Sequence, residues 1–361
     1  MKKIQIFLFV LAAALHVSAA DERPLRLAVA GITHGHLGEV VRRMNRGDFQ
    51  IVGVAESNDA YRRRNDLTGR LPENLFYADL EQMLDETKPE VVVAYGSIYD
   101  HLSVVEACAP RHVHVMVEKP LATTWKAARR MEELAERYGI QVLTNYETTW
   151  YSTNHHAKQL IDNGKIGDLV RMNIYDGHQG PREIGCSPMF LEWLTDPVLN
   201  GGGAVVDFGC YGANLATWFL RDQEPLSVYA VLQQKKPDVY PRVDDDATII
   251  VRYPHATVQI MASWCWPQGR KDMYVYGLEG SIYQLTPTQM ETYIDGRPSG
   301  RFEAPPLEEP YDDSFRFLRA VVRNEITLPP YDPSSLENNL RVVRILQAAR
   351  KSARTGKPVK L

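Results

Sequence analysis

The chain has 361 residues, enough for about two domains at the usual ~150 residues each. Its 44% apolar and 24% charged residues are those of a globular protein with ample core, and exclude a disordered or repeat architecture. A net charge of −4 without long basic runs argues against a nucleic-acid binder; the short patch YRRRN, Tyr61–Asn65, fits a solvated helix face.

The first segment, MKKIQIFLFVLAAALHVSAA, joins two lysines, a short apolar run and the small-residue site Val17-Ser18-Ala19. That is the form of a cleavable secretory signal peptide over residues 1–20, too short and wrongly flanked to span a membrane. No cysteine stands directly after the cleavage site near Ala19/Ala20, and this first segment has no twin-arginine pair. The expected mature protein is therefore periplasmic or secreted, exported unfolded and without a membrane anchor. Cys108, Cys186, Cys210 and Cys265 have no C-x-x-C spacing and read as buried free thiols rather than metal ligands.

From Leu25 onward strands and helices alternate. LRLAVAG, FQIVGVAE, PEVVVAYG, HVHVMVEK and IQVLTNYE read as buried strands, with HLGEVVRRMNR, LEQMLDET, LSVVEACA and TWKAARRMEELAERYG as helices among them. Such alternation means an α/β, doubly wound parallel sheet, here a Rossmann domain over residues 24–148. Its ligand crevice lies beyond the carboxyl ends of the strands. Gly31, Glu56, Gly96, Lys119 and Asn145 fall there, with Ile32, Tyr95 and Glu118 beside them as candidate cofactor contacts.

After about Trp150 the character changes. A helix, STNHHAKQLIDNG, leads to the strand DLVRMNIYDGH and an irregular stretch, Gly177–Asn200. GGGAVVDFGCYGANLATWFL reads as a loop running into a helix. SVYAVLQQK, DATIIVRY, ATVQIMASW, KDMYVYG and GSIYQLT then read as an antiparallel meander. Residues 149–333 are thus an α+β domain with a large open-faced, mainly antiparallel sheet. A C-terminal helix, 334–356, starts at Ser, stops at Gly356 and braces the two domains.

The turn after the first strand, Gly31-Ile32-Thr33-His34-Gly35-His36, keeps only the first glycine of G-x-G-x-x-G. The Thr33 hydroxyl could donate to a phosphate oxygen, and His36 at the helix start could face the anion. Glu56 lies at the end of the second strand. A carboxylate there accepts the ribose hydroxyls of adenosine and repels a 2′-phosphate, which favours NAD over NADP; its alternative is a solvated strand-end acid. The pair His34/His36 also invites a metal reading. Metal hydrolases with such a pair need further strand-end His and Asp ligands. His101, His112, His114 and His178 are not so placed, and His155-His156 point apart on a helix. The run Asp244–Asp246 is explained by a polar turn, so no metal is expected.

The stretch HVMVEKPLATT, His114–Thr124, delivers Glu118 and Lys119 to the crevice, and Pro120 fixes the backbone after them. Neighbours on a strand face opposite ways, so Glu118 is not the expected partner of Lys119. On this element the chain resembles the glucose–fructose oxidoreductase / inositol dehydrogenase / MocA (Gfo/Idh/MocA) family, over nearly its whole mature length. The resemblance is carried by Glu118-Lys119-Pro120, by His101 in SIYDHLSVVEAC, by IDNGKIGDL (Ile161–Leu169) and by GGGAVVDFGCY (Gly201–Tyr211). It implies a nicotinamide cofactor bound near His101 and the turn, and sugar-like substrates. It also implies a homodimer or homotetramer formed through the sheet face, where Val231, Ile250 and Met261 fall. It makes Lys119 the catalytic lysine and Asp207 the substrate-orienting acid. Tyr211 stands where many members have histidine and where the glucose–fructose oxidoreductase and dihydrodiol dehydrogenase branches have tyrosine. Thr33 and His36 depart from the family's phosphate turn.

Oxidising a secondary alcohol removes a hydride from carbon and a proton from oxygen, so a base must touch the hydroxyl. Tyr (pKa ~10) and Lys (~10.4) are poor bases at neutral pH. Packed together beside a positive pyridine ring, Lys119 and Tyr211 are expected to favour each other's deprotonation. Tyr146, Trp150, His178 and Arg182 are expected to line a sugar site. Export away from the cytoplasmic NAD pool points to a retained cofactor and redox-neutral sugar chemistry. Two alternatives stand beside it: an NAD-dependent glycoside hydrolase using transient oxidation and elimination, and a non-catalytic sugar-binding protein on a degenerate Rossmann fold.

Overall fold

The computed structural model describes residues 23–64 and 71–361; the expected signal peptide, and Asn65 of the YRRRN patch, lie outside the described residues. The first domain runs β1 (Leu25–Ala30), α1 (Leu37–Arg43), β2 (Phe49–Ala55), α2 (Asp59–Arg64), β3 (Phe76–Tyr77) and α3 (Leu80–Thr87). It continues with β4 (Val91–Ala94), α4 (His101–Cys108), β5 (His114–Glu118), α5 (Trp125–Tyr138) and β6 (Val142–Asn145). The strands form one parallel sheet in the order β3-β2-β1-β4-β5-β6. Val91–Val93 and Val115–Val117 are buried, because helices cover both faces of such a sheet. The order reverses between β1 and β4, which opens the crevice above their ends. β3 escaped the sequence reading: two half-buried residues leave no apolar run to see.

The rest runs α6 (Ser152–Asp162), β7 (Leu169–Gly177), α7 (Pro188–Leu194), α8 (Ala204–Asp207), α9 (Gly209–Phe219), β8 (Ser227–Gln233), β9 (Asp246–Arg252) and β10 (Thr257–Ser263). Then come β11 (Arg270–Gly277), β12 (Ser281–Gln284), β13 (Gln289–Ile294), β14 (Arg297–Glu303), α10 (Ser314–Val322), α11 (Leu336–Thr355) and β15 (Val359–Lys360). Nine strands form a mainly antiparallel sheet, β14-β13-β12-β11-β7-β10-β9-β8-β15. It is not the simple meander expected. β7 threads between β10 and β11, parallel to the first and antiparallel to the second. Its Met172 and Ile174 are buried in the sheet's core, which makes the centre of the sheet its natural place. The β13–β14 hairpin was also unforeseen, although its turn carries a readable signal. Asp295 (φ 53°) and Gly296 (φ 71°) are both left-handed, as a two-residue hairpin turn demands.

Two boundaries differ from expectation. The stretch Gly177–Asn200 holds α7, started by Ser187, whose hydroxyl accepts the Phe190 amide. α10 lies within the expected second domain, 149–333, yet Phe315, Phe317, Leu318 and Val321 pack into the first domain's core with Leu25, Val29 and Phe49. α11 is capped by Ser335 at its start and by left-handed Gly356 at its end. It buries Leu340 and Val343 in the first domain and Val342, Ile345 and Leu346 against the sheet. No helix among the described residues is long and apolar enough to cross a membrane. On the sheet's open face Tyr229, Val231 and Ile250 stay exposed; Met261 is half-buried.

Candidate active site

The turn after β1 is built by backbone approach. Gly31 has φ +77°, and a Cβ on it would lie 2.6 Å from the Gly96 amide nitrogen. Only glycine lets the ends of β1 and β4 meet so closely. The Thr33 and His34 amides both donate to the Tyr95 carbonyl (3.0 and 2.9 Å), and the Thr33 hydroxyl points at the same oxygen (3.4 Å). Thr33 therefore braces the turn and is not aimed at a phosphate, a correction to its expected role. Tyr95 contributes that carbonyl while its ring is buried; Ile32 is buried along the cleft. Glu56 accepts the Asn58 amide at 2.8 Å and is also held by the Ile32 amide, so it ties β2 to the turn; burial raises its pKa.

Inside the turn, buried His34 accepts the His36 amide on Nδ1 (3.1 Å). His36 Nδ1 donates to Glu118 Oε2 (3.0 Å), and Asn145 donates to Glu118 Oε1 (3.0 Å). Burial pulls the His34 pKa well below its usual value. Burial also works against charge on His36 and on Glu118, but their mutual attraction wins: His36 is raised, and Glu118 is held below the carboxylate range. His34, His36 and Glu118 offer donor atoms all within 4.8 Å of one another, the make-up of a metal site. With Nδ1 committed as an acceptor, however, neutral His34 carries its proton on Nε2, which donates rather than ligates.

This pair has a pH signature. Because the folded pKa of His36 lies above its unfolded value of ~6.5, its contribution is complete below that pH and fades as pH rises through the folded value. His36→Gln is expected to flatten the fall of Tm with pH above ~6.5. A Tm profile parallel to the parent's would remove the pair from the account.

Lys119 leaves β5 beside Glu118 but faces the other domain. Its ammonium donates to Asp207 Oδ1 and, at 3.2 Å, to the Asp207 carbonyl. Asp207 Oδ2 accepts the Trp264 indole N–H (2.9 Å). α8, which carries Asp207, is anchored by Asp244, whose carboxylate accepts the amides of Gly203 (2.9 Å) and Val205 (2.7 Å). Two lysine amines approach the Tyr211 ring, Lys119 Nζ at 5.1 Å and Lys271 Nζ at 4.6 Å from its centroid. Lys271 is paired with Glu147, which also accepts the Tyr151 hydroxyl (2.6 Å).

The protonation states differ from expectation. Burial alone would lower the Lys119 pKa, but the Asp207 carboxylate outweighs it and holds the amine as ammonium. Burial likewise favours a neutral Asp207, but Lys119 keeps it ionised. Burial, then the Glu147 charge, push the Tyr211 phenol well up. The site thus holds two proton donors, Lys119 and Tyr211, rather than a mutually deprotonated pair.

These groups face a cleft of about 1230 Å³, bounded by the turn at His34–His36, Lys119, Asp207, Tyr211, His178 and Lys271. Of the four residues expected to line a sugar site, only His178 does. Tyr146 is fully buried, edge-on to Tyr211 at 5.5 Å. Trp150 turns its indole N–H to Asn145 (3.1 Å) and packs on Phe317, in the first core. Arg182 is exposed outside the cleft and contributes its amide to the Tyr240 hydroxyl (3.1 Å). His101, expected at the cofactor, is a core residue: fully buried, with a pKa lowered by desolvation to about 4, donating from Nδ1 to the Leu121 carbonyl (3.1 Å). It pins the segment after Lys119 instead. Trp264, Lys271 and Glu147 were missed; each reaches the site from a strand start, a strand end or a turn with no local motif.

Comparison with known proteins identifies both domains. Residues 25–146 match the oxidoreductase family described as having an NAD-binding Rossmann fold, and residues 154–283 match the GFO/IDH/MocA C-terminal domain. D-xylose 1-dehydrogenase [NADP(+)] of Haloarcula marismortui is 27% identical over 230 residues, 61% of this chain and 61% of that protein. The alignment thus spans less than two thirds of that relative. An inositol dehydrogenase homolog from Azotobacter vinelandii, solved with NAD+, superposes with a TM-score of 0.79 at 18% identity, over 94% of this chain and 98% of its own. Aldose-aldose oxidoreductase from Caulobacter crescentus, complexed with glycerol, gives 0.78 at 21%, over 94% and 100%. With both of its domains matched and its crevice built around Lys119, Asp207 and Tyr211, the chain belongs to the Gfo/Idh/MocA family of nicotinamide-dependent oxidoreductases.

Proposed function

We propose that the protein is an exported oxidoreductase that uses NAD in preference to NADP, acts on a ring hydroxyl of a sugar or sugar derivative, and keeps its cofactor through a redox-neutral cycle. The observation that carries this is the Lys119–Asp207 ion pair set against the Tyr211 ring in one cleft with the phosphate turn. The residues present suit a dinucleotide. His34 Nε2–H is a buried donor without a partner among the described residues, fit for an anionic oxygen, and Glu56 is a strand-end carboxylate fit for ribose hydroxyls. A nicotinamide held there would supply hydride transfer. The chain supplies the proton: Tyr211 and Lys119 donate to the substrate oxygen as a carbonyl is reduced, and take the proton back as an alcohol is oxidised. Asp207 fixes the Lys119 ammonium, and Trp264 fixes Asp207.

The name of the aldose-aldose oxidoreductase supports a cycle in which one sugar is oxidised and another reduced. A second reading, glycoside cleavage by transient oxidation and elimination, is favoured by Lys271 and Glu147, a further acid–base pair beside Tyr211. Solvent deuterium appearing at a ring carbon of the product supports elimination; its absence leaves simple oxidoreduction. The exposed Tyr229, Val231 and Ile250 support self-association through the sheet face. The purified protein, denatured and examined by mass spectrometry, is expected to release NAD at near one per chain. Protein that neither releases NAD nor binds it when added would sink the enzyme reading in favour of sugar binding alone.

A further inference from the structure

The turn after β1 does not present its amides as a dinucleotide-binding turn should. Those of Thr33 and His34 end on the Tyr95 carbonyl, and that of His36 ends on His34 Nδ1. Among these residues that leaves the Gly35 amide, which lines the cleft, so most donors for a diphosphate must be side chains. Two are at hand. His34 Nε2 and Trp193 Nε1 are both buried and both lack a hydrogen-bond partner among the described residues. Their residues are 3% and 4% exposed, so water does not satisfy them either. The two rings stand 5.7 Å apart at 30°, and Phe190 packs edge-on to each at 4.9 Å.

Trp193 belongs to α7, which comes from the sheet domain and lies across the carboxyl edge of the parallel sheet. On the β2 side, Glu192 accepts the Tyr61 hydroxyl of α2 (2.6 Å). On the β4 side, the Leu199 carbonyl accepts the Tyr99 amide (3.0 Å). The segment therefore bridges both flanks of the point where the strand order reverses, and sets its indole over the turn. The nearest anion, Glu118, is 3.9 Å from His34 Nε2, too far to accept its proton, and is already balanced by His36.

We infer that Trp193 and His34 form a donor pair for phosphoryl oxygens, contributed jointly by the two domains, beside the Gly35 amide and in place of the committed amides of Thr33, His34 and His36. This rests on the reading of the crevice as a dinucleotide site and names the residues that grip its diphosphate. The same chemistry would grip a free diphosphate, so the ligands must separate the two sources. The test is calorimetric titration of the full mature protein with NAD, inorganic pyrophosphate and adenosine. Trp193→Phe keeps the packing and removes one donor. His34→Asn keeps an acceptor for the His36 amide and removes the other. Each is expected to weaken NAD and pyrophosphate about tenfold or more, to leave adenosine unchanged and to leave Tm no lower than the parent's. Variants that bind pyrophosphate like the parent, or that weaken adenosine equally, overturn the proposal; so does a parent that binds no pyrophosphate. A parent that binds pyrophosphate, but neither NAD nor NADP, while the variants do not, keeps the donor pair and removes the oxidoreductase reading.

Discussion

Lys119→Met is expected to lower turnover by about 10²–10⁴-fold, the usual share of a positioned proton-transfer group, while NAD still binds. The same change is expected to destabilise the fold by ~3–5 kcal/mol, because it leaves the buried Asp207 carboxylate without its cation. The two effects separate in the double variant Lys119→Met/Asp207→Asn. An amide needs no counter-ion, so the denaturant midpoint should recover most of the loss while turnover stays low. NAD binding is followed by fluorescence titration. Near-parental turnover in Lys119→Met would end its role as a proton donor; a stability loss undiminished in the double variant would show that the ion pair is not its cause.

Gly203→Ala should be among the most destabilising single changes in the chain, about 4 kcal/mol or more, by the mechanism of forced backbone displacement. A Cβ at Gly203 would lie 1.7 Å from the Asp244 carbonyl oxygen and 2.8 Å from its carbon. Nothing flexible can give way, since both sides of the clash are backbone. Asp244 is also the residue that accepts the amides at the start of α8, so moving it shifts Asp207 and through it Lys119. Activity should fall with stability. Gly269→Ala, whose Cβ meets nothing within 4 Å, is the matched control for stability. Denaturation midpoints of the two variants that agree within a few tenths of a kcal/mol would refute the packing argument.

Much of the site's address was legible before any coordinates. Strand ends in a parallel sheet converge on one edge, so an apolar run ending in Glu118-Lys119-Pro120 places its lysine in the crevice by local pattern alone. What the pattern could not tell was who meets Lys119. Asp207 is 88 residues away in sequence, and Trp264 is another 57 beyond it. Tyr146 and Trp150 were misplaced for the converse reason: the short turn after β6 folds both back into the protein's cores, although aromatic residues beside a crevice look suited to sugar. The Asp295-Gly296 turn shows that some of the shortfall was in the reading, since its hairpin signal is local.

By itself the sequence determined the alternation that makes a doubly wound sheet, the capped bracing helix, and the carboxyl-edge position of Gly31, Glu56 and Lys119. Each of these depends on residues within a turn or two of one another. Only the tertiary structure decided that β7 enters the middle of the second sheet, that α10 joins the first core, and that α7 lies over the turn after β1. It alone decided the protonation of Lys119 and Tyr211, because a pKa answers to burial and to charges brought close by folding, and neither is written in the neighbouring residues.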